Sequence, residues 1–176
     1  MASDSIRKTS VLTLSKTEEM PFSQIKASQN GMTVERVFYR DNEILKPGDT
    51  LRRGDRIRAE YRIWNKENRS FVKLTAAPRE ACLMPVNQLS GQSYGLKSLM
   101  VNNWFEFAPS LYRNVKKDRT EYFCDVLSEE KTVIKEDFYV VQDGVFSAPV
   151  VEIESLYAPA YRANDSFKGS LPVERE

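Results

Sequence analysis

The clearest pattern in the chain is a strict alternation of apolar and polar side chains over residues 56–64. Successive side chains of an extended strand point to opposite faces of a sheet, so this pattern predicts a strand with one face on a core and the other in solvent. The inward positions are Ile57, Ala59, Tyr61 and Ile63. Turn-forming sequences at residues 46–49 and 53–55 lead into this strand. We therefore interpret the segment as part of a scaffold and not as a catalytic loop.

Further segments rich in β-branched and aromatic residues predict further strands. They are residues 33–39, 71–75, 104–107, 111–113, 121–126, 131–141, 145–147 and 150–153. Turn signals separate them at intervals of roughly 8 to 12 residues, which is typical of sandwiches. The pattern predicts an all-β fold, an antiparallel β-sandwich of two sheets, with at most one short helix, in residues 96–112.

The chain divides into three predicted parts. Residues 1–30 are polar and predict an N-terminal tail or an edge strand, the latter at residues 11–14. Residues 31–165 hold the sandwich, and residues 166–176 predict a frayed C-terminal tail. Within the sandwich, residues 77–103 contain prolines and glycines with little periodicity and predict a long irregular connection. Long loops in compact domains tend to be functional or interfacial, so we expect this one to contact other domains.

The composition argues against several classes of function. The 26 basic residues nearly balance the 25 acidic ones, for a net charge of +1, so no strong field attracts nucleic acid or an anionic membrane. No apolar run approaches the roughly 20 residues that span a bilayer, and we expect a soluble chain. The chain has no histidine. It therefore lacks the commonest general base and the commonest transition-metal ligand, which argues against Ser-His or Cys-His catalysis and against zinc.

The two cysteines are predicted to be structural. Cys82 precedes a Leu-Met-Pro sequence and Cys124 follows Tyr122 and Phe123, settings typical of small buried hydrophobic residues. A disulfide between them is the less favoured alternative, because nothing in their spacing requires one.

Several carboxylates fall in pairs, which is the residue type that a glycosidase needs. The pairs are Asp49 with Asp55, Glu121 with Asp125, and Glu152 with Glu154. Carboxylates two positions apart on a strand are more often a solvated face, and turn aspartates usually accept hydrogen bonds from backbone amides. We therefore favour structural roles. Calcium at the Asp49 and Asp55 turns is a weaker hypothesis, because no dense loop of oxygen ligands surrounds them.

Aromatic residues offer a second binding hypothesis. Trp64, Tyr94, Trp104 and Tyr112 would suit a sugar-binding platform, as in carbohydrate-binding sandwiches. Trp64 falls on the polar face of its strand, so we expect coverage by neighbouring protein or, less favoured, contact with a ligand. A basic stripe follows the same region, and because Glu60 and Glu67 interrupt it we favour a solvated face over an anion-binding one. The stripe consists of Arg52, Arg53, Arg56, Arg58, Arg62 and Arg69.

Four groups of residues resemble the closing domain of bacterial alpha-2-macroglobulins. They are residues 45–51 (LKPGDTL) with 54–57 (GDRI); 84–87 (MPVN) before 90–91 (SG); 118–119 (DR) with 122–125 (YFCD); and 144–149 (GVFSAP) with 154–159 (ESLYAP). The resemblance implies a macroglobulin-like, immunoglobulin-like sandwich from a multi-domain, extracytoplasmic protein, commonly periplasmic, that inhibits proteases. It implies a non-enzymatic structural and interaction domain that packs against a neighbouring thioester-type domain and meets proteases only indirectly. The resemblance also implies that a membrane is reached only through an anchor outside this chain, and we expect no cofactor and no metal.

The chain departs from the family's covalent chemistry. Cys82 is followed by Leu-Met-Pro and Cys124 by Asp-Val-Leu, so neither forms the Cys-x-Glu-Gln thioester that other domains of the family carry. Some members present a loop tyrosine toward that thioester, and the resemblance makes Tyr94 the candidate. Trp64, Trp104 and Tyr112 are the other candidates for a domain interface or a ligand contact. A carbohydrate-binding module remains the alternative function.

Overall fold

The structure is a computed structural model that describes residues 19–76, 79–95, 110–127 and 129–175. Within them, one 3-10 helix (Phe22–Gln24) precedes fifteen strands. The strands are β1 (Ser28–Gln29), β2 (Met32–Arg40), β3 (Glu43–Ile44), β4 (Leu51–Arg52), β5 (Arg56–Asn65), β6 (Arg69–Ala76), β7 (Leu83–Pro85), β8 (Gln92–Gly95), β9 (Ser110–Val115), β10 (Thr120–Leu127), β11 (Glu130–Val140), β12 (Gly144–Ser147), β13 (Val151–Ser155), β14 (Arg162–Asn164) and β15 (Ser170–Glu174). The predicted all-β class is confirmed. Among the described residues, no helix is long and apolar enough to cross a membrane.

The strands form two large sheets and one small one. The seven-stranded sheet has the order β1-β14-β13-β6-β10-β9-β8, and the five-stranded sheet has the order β3-β2-β5-β11-β7. Every pairing in these two sheets is antiparallel. A three-stranded sheet, β12-β15-β4, adds the one parallel pair that the described residues contain, between β15 and β4.

The alternating segment forms the centre of the five-stranded sheet. β5 pairs with β2 on one side and with β11 on the other, over almost its whole length. Its inward side chains are all buried, as the alternation predicts. Ile63 faces the core beside Val34 of β2, and Ile57 does so beside Phe138 of β11. Because side chains alternate with a period of two, a shift of one residue would turn this whole row outward.

The two large sheets share one core. Tyr61 of the five-stranded sheet meets Tyr122 of the seven-stranded sheet, with ring centroids 5.8 Å apart. Both rings belong to a continuous apolar cluster that also includes residues of the small sheet. Leu51, Leu171 and Val173 bring the small sheet into this cluster, so it closes one end of the sandwich.

The hairpin between β2 and β3 shows why its turn has its particular sequence. Asp41 and Asn42 both have left-handed backbone angles, with φ of 51° and 69°. Two-residue hairpins favour this conformation because it matches the twist of the strands, and Asn and Asp tolerate it better than other residues with side chains.

Four predictions concern the less regular segments of the chain. The expected C-terminal tail, 166–176, contains β15, because Leu171 and Val173 alternate with polar neighbours and are buried. The expected irregular connection, 77–103, contains β7 and β8, which are too short to show periodicity. The predicted edge strand at residues 11–14 lies outside the described residues. Most of residues 96–112, where a short helix was predicted as the one possible exception, also lies outside the described residues. The last three residues of this segment belong to β9.

Substitutions on the two faces of β5 test the alternation directly. Ile57→Ala removes a fully buried side chain and leaves a cavity, so we expect it to lower the free energy of unfolding by about 2 to 5 kcal/mol. Arg56→Ala, at the preceding outward position, removes an exposed ion pair and should cost less than about 1 kcal/mol. Urea denaturation measures both values. Equal costs would show that the two positions do not face core and solvent.

Candidate interaction surface

Two of the predicted aromatic residues lie on opposite outer faces of the sandwich. Trp64 is on the outer face of β5, and Lys131 of β11 places its Nζ atom 5.6 Å from the ring centroid. Tyr112 is on the outer face of β9 in the other large sheet, 6.1 Å from the ring of Phe123. The structure therefore does not bring Trp64 and Tyr112 together into one platform.

The other two predicted aromatic residues are Tyr94 and Trp104. Tyr94 lies in β8, where its backbone pairs with Leu111 of β9, so its backbone is part of a strand and not of a loop. Trp104 lies outside the described residues.

The basic stripe on β5 is largely paired with acids. Arg56 Nη2 lies 2.7 Å from Asp137 Oδ2, and Arg58 Nε lies 2.8 Å from Asp137 Oδ1. The hydrogen bond from Arg58 lowers the pKa of Asp137 and raises that of the arginine. Arg62 contacts Glu60 at 3.4 Å and also donates to the Tyr39 hydroxyl. These pairs fit a solvated face and leave little free charge for an anion.

The candidate carboxylates have structural partners. Asp49 Oδ2 accepts a hydrogen bond of 2.8 Å from the Lys46 amide, and Asp55 Oδ2 accepts one of 2.9 Å from the Arg52 amide. Glu121 forms ion pairs with Lys116 and Arg119. Glu154 lies 3.7 Å from Lys73. Among the residues that the structure describes, no group of three or more metal-ligating side chains occurs.

A buried ion pair joins the two large sheets. Arg113 of β9 and Glu136 of β11 are both almost completely buried, and the guanidinium donates to Glu136 Oε1. Thr120 donates to the same oxygen at 3.1 Å, and Tyr61 donates to the other at 3.3 Å. Arg113 also donates to the carbonyls of residues 87 and 89. Although burial opposes its charge, the hydrogen bond to Glu136 raises the pKa of Arg113.

This cluster borders a cavity of about 610 Å³. Both Glu136 oxygens accept hydrogen bonds from protein groups. Burial raises the pKa of Tyr61 and Tyr122 well above the ordinary value, so both phenols stay protonated. The cluster is therefore suited to holding the two sheets in register.

A second buried cluster ties the C-terminal region to β2. Arg36 Nη1 lies 2.7 Å from Glu80 Oε1, and its other terminal nitrogen donates to the Pro149 carbonyl. Asp165 accepts hydrogen bonds from the backbone amides of Val151, at 2.6 Å, and Arg36, at 3.4 Å. Burial raises the pKa of both Glu80 and Asp165.

These buried charges are not among the residues predicted from the sequence, although the strand pattern carries a signal for three of them. Arg36 shares its parity with Val34 and Phe38, and Glu136 shares its parity with Phe138. Arg113 likewise shares the inward parity of Leu111. A charged residue at an inward position predicts a partner in the core, because an unpaired buried charge is costly.

Both cysteines are free and buried, as predicted. Burial raises the pKa of Cys82 to about 12 and that of Cys124 to about 11. The thiolate, which is the reactive form, is therefore scarce at neutral pH.

One cluster of apolar and aromatic side chains is largely exposed among the residues that the structure describes. We call it the Phe71 patch; it consists of Phe71, Leu156, Tyr157 and Tyr161. Phe71 is 49% exposed and Tyr157 is 80% exposed, and their rings meet edge to face with centroids 4.9 Å apart. Tyr161 lies under the Arg69 guanidinium, 3.5 Å from the ring centroid.

The backbone at this patch is strained. Phe71 has a φ of 54°, a left-handed conformation that costs about 1 to 3 kcal/mol for a residue with a bulky side chain. Its carbonyl accepts a 2.9 Å hydrogen bond from the Leu156 amide, which fixes the exposed turn against β6. A Cβ atom at Gly31 would lie 2.7 Å from the Tyr161 ring, so the neighbouring turn needs glycine there. Strain that holds apolar rings in solvent indicates a contact surface.

Comparison with protein families identifies one match. The sequence model described as the bacterial alpha-2-macroglobulin MG10 domain matches residues 31–160, well over half of the chain. The matched residues include both buried ion pairs and most of the Phe71 patch. Comparison with curated proteins finds no match.

Solved structures share the fold. The chain resembles Salmonella alpha-2-macroglobulin reacted with methylamine, with 19% identity and a TM-score of 0.66, over 87% of this chain and 10% of that one. It resembles native Escherichia coli alpha-2-macroglobulin from domain MG7 to the C-terminus, with 18% identity and a TM-score of 0.68, over 88% and 25%. Escherichia coli alpha-2-macroglobulin activated by porcine elastase matches with 20% identity and a TM-score of 0.68, over 88% and 14%. The chain spans a quarter or less of the length of these structures.

Breaking the ion pair between the sheets should cost more than removing both partners. Arg113→Met leaves the Glu136 carboxylate buried and unpaired, so we expect it to lower the free energy of unfolding by about 3 to 5 kcal/mol. The double variant Arg113→Met/Glu136→Leu should recover part of this loss. Asp137→Asn, on the solvated face, should cost less than about 1 kcal/mol. A double variant no more stable than the single one, in urea denaturation, would contradict this account.

The thiols should be inert in the folded protein. We expect a thiol reagent at neutral pH to label neither cysteine until the chain is unfolded, because both are buried and protonated. Both folded pKa values lie above the ordinary value of 9.0, so this contribution to stability is complete below about pH 9 and declines as the pH rises toward the folded values. Stoichiometric labelling of the native protein, measured by mass spectrometry, would overturn the prediction.

Proposed function

Because the chain belongs to the family of the bacterial alpha-2-macroglobulin MG10 domain, we propose that it is a non-catalytic structural and interaction domain of a bacterial alpha-2-macroglobulin-like protease inhibitor. In this role it packs against neighbouring domains of the parent chain, a thioester-type domain among them. Target proteases meet it only indirectly. The observation that carries the proposal is the family match together with the uncovered, strained Phe71 patch.

The distribution of exposed apolar side chains supports packing against other domains. Most of those on the two large sheets lie near the ends of the sandwich and not on the middle of its outer faces. One group is near the β5–β6 loop and consists of Phe71, Leu156, Tyr157 and Tyr161. The other is near the first residue of β5 and consists of Ile44, Met84, Tyr139 and Val141. A domain inserted between others in a chain requires contacts of this kind at its ends.

The chemistry of the interior supports a non-catalytic role. The buried carboxylates are held by arginines or backbone amides, and the buried thiols and phenols are kept protonated by burial. The scaffold therefore supplies rigidity and an outer surface, and covalent chemistry belongs to another domain.

The protease-related role is carried over from relatives. One structural relative is described as Escherichia coli alpha-2-macroglobulin activated by porcine elastase. We extend this response to the parent of the present chain, and with it an extracytoplasmic, periplasmic location.

The Phe71 patch is the surface to test. We expect the isolated domain to bind the parent protein lacking it, measured by calorimetry, and Tyr157→Ala to weaken that binding at least about tenfold, as loss of an aromatic anchor does. Phe71→Gly should also weaken binding yet leave stability within about 1 kcal/mol of wild type, because glycine relieves the left-handed strain.

Val145→Ala is the control, since Val145 is a strongly exposed apolar residue outside the patch and is not a predicted interface residue. It should bind like the wild type. Binding unaffected by Tyr157→Ala and Phe71→Gly, or hydrolase activity in the isolated domain, would refute the proposal.

A further inference from the structure

A groove of about 560 Å³ lies at the end of β11. We call it the Tyr139 groove, after the residue on its floor. The turn at Arg53 and Gly54 forms one wall, Met84 of β7 forms the other, and Arg175 follows β15 at the rim. Tyr139 pairs with the first residue of β5, whereas Phe71 is near the start of β6, which follows the last residue of β5 after a short loop. The two surfaces are therefore at opposite ends of the sandwich.

Backbone hydrogen bonds hold the groove in shape. The Gly54 amide donates to the Val140 carbonyl at 2.8 Å, and the Val140 amide donates to the Asp55 carbonyl at 2.9 Å. On the other side, the Val141 amide donates to the Cys82 carbonyl at 2.8 Å. A groove already fixed in this way loses little entropy when a ligand binds.

The groove combines two free cations. β15 runs parallel to β4 with Glu174 opposite Arg52, so the next residues along, Arg53 and Arg175, come to the same rim. Both are exposed, and neither makes an ion pair or a hydrogen bond through its side chain with any residue that the structure describes. The arginines of the β5 stripe differ, because Arg56 and Arg58 share Asp137.

The lining of this groove contains no carboxylate. Four other cavities of the described residues each contain at least two, which they draw from Asp41, Asp55, Glu60, Glu136, Asp137, Glu152, Glu154 and Glu174. Met84, Tyr139 and Val141, each over a third exposed, supply an apolar floor and wall. A positive rim around an apolar groove is complementary to a ligand that is acidic and partly apolar.

We infer that the Tyr139 groove binds an extended acidic peptide segment, in which an apolar side chain fills the space beside Tyr139 and Met84 while flanking carboxylates pair with Arg53 and Arg175. Guanidinium groups bind carboxylates with two parallel hydrogen bonds, which sets the position of the segment as well as its charge. The segment comes from another part of the parent chain. The inference thus rests on the proposed function and deepens it, by naming the chemistry of one contact.

The direct test is a nuclear magnetic resonance titration of the ¹⁵N-labelled chain with three synthetic peptides. The acidic probe is Glu-Glu-Phe-Glu-Glu, and the controls are Gln-Gln-Phe-Gln-Gln and Glu-Glu-Gly-Glu-Glu. We expect the acidic probe to shift the amide signals of Gly54, Tyr139, Val141 and Arg175, and to bind at least about tenfold more weakly as the salt rises from about 50 mM to about 500 mM. Each control peptide lacks one element of the complementarity and should bind more weakly.

A charge-matched pair of variants identifies the site. Arg53→Gln/Arg175→Gln should lower the affinity for the acidic probe at least about tenfold. Arg52→Gln/Arg162→Gln removes the same charge from exposed positions outside the groove and should leave the affinity within about twofold. All four substitutions are on the surface, so the spectra should stay those of the folded protein. Equal binding by both double variants, or by the acidic and the glutamine peptides, overturns the inference.

Calorimetry with the parent protein lacking this domain separates the two proposals. Weakened association of the Arg53→Gln/Arg175→Gln variant supports the inference. Unchanged association of that variant overturns the inference and leaves the proposed function standing, whereas no association of the wild-type domain overturns the proposed function itself.

Discussion

The structure depends on where charged side chains fall in strands that alternate between core and solvent. Arg113 and Glu136 occupy inward positions on two different sheets, and each satisfies the other in the core. A shift of either strand by one residue would turn one partner outward and leave the other charge buried alone, which costs several kcal/mol. The pair therefore couples the register of β9 to that of β11. Likewise, the ion pair between Arg36 and Glu80 fixes the register of β2, because a shift of β2 would separate the two charges. Buried polar groups of this kind select one arrangement of the sheets.

The same constraint governs the state of the ionisable groups in the interior. Its buried acids are engaged by cations or backbone amides, and burial keeps its cysteines and inner tyrosines protonated. The outer faces of the sheets carry paired charges, such as Arg58 with Asp137. Two surfaces are available for contact with other molecules: the exposed rings of the Phe71 patch and the positive Tyr139 groove. A rigid block with contacts at both ends suits a domain within a long chain.

The sequence was informative wherever alternation was long and regular. The strand β5 follows from this alternation, whereas β2, β10 and β11 follow from their β-branched and aromatic residues. The buried state of both cysteines follows from their apolar neighbours. The short strands β7 and β8 were not predicted, because three or four residues are too few to show a periodic pattern. The small third sheet was not predicted either, because it joins β4 and β15, which are far apart in the chain. The inward parity of Arg113 was visible in the sequence, but its partner on another sheet was not. The Phe71 patch depends on the positive φ of Phe71, which no sequence pattern predicts.

The central claim is that this domain works through surfaces that other domains cover, while its interior stays inert. Hydrogen–deuterium exchange, compared between the isolated domain and the same domain within its parent protein, tests it most directly. The account predicts added protection in the parent at residues 69–72 and 155–161, around the Phe71 patch, with unchanged exchange in the core strands β5 and β11. Equal exchange at the patch in both forms, with changes confined to strands around Arg113 and Glu136, would contradict it.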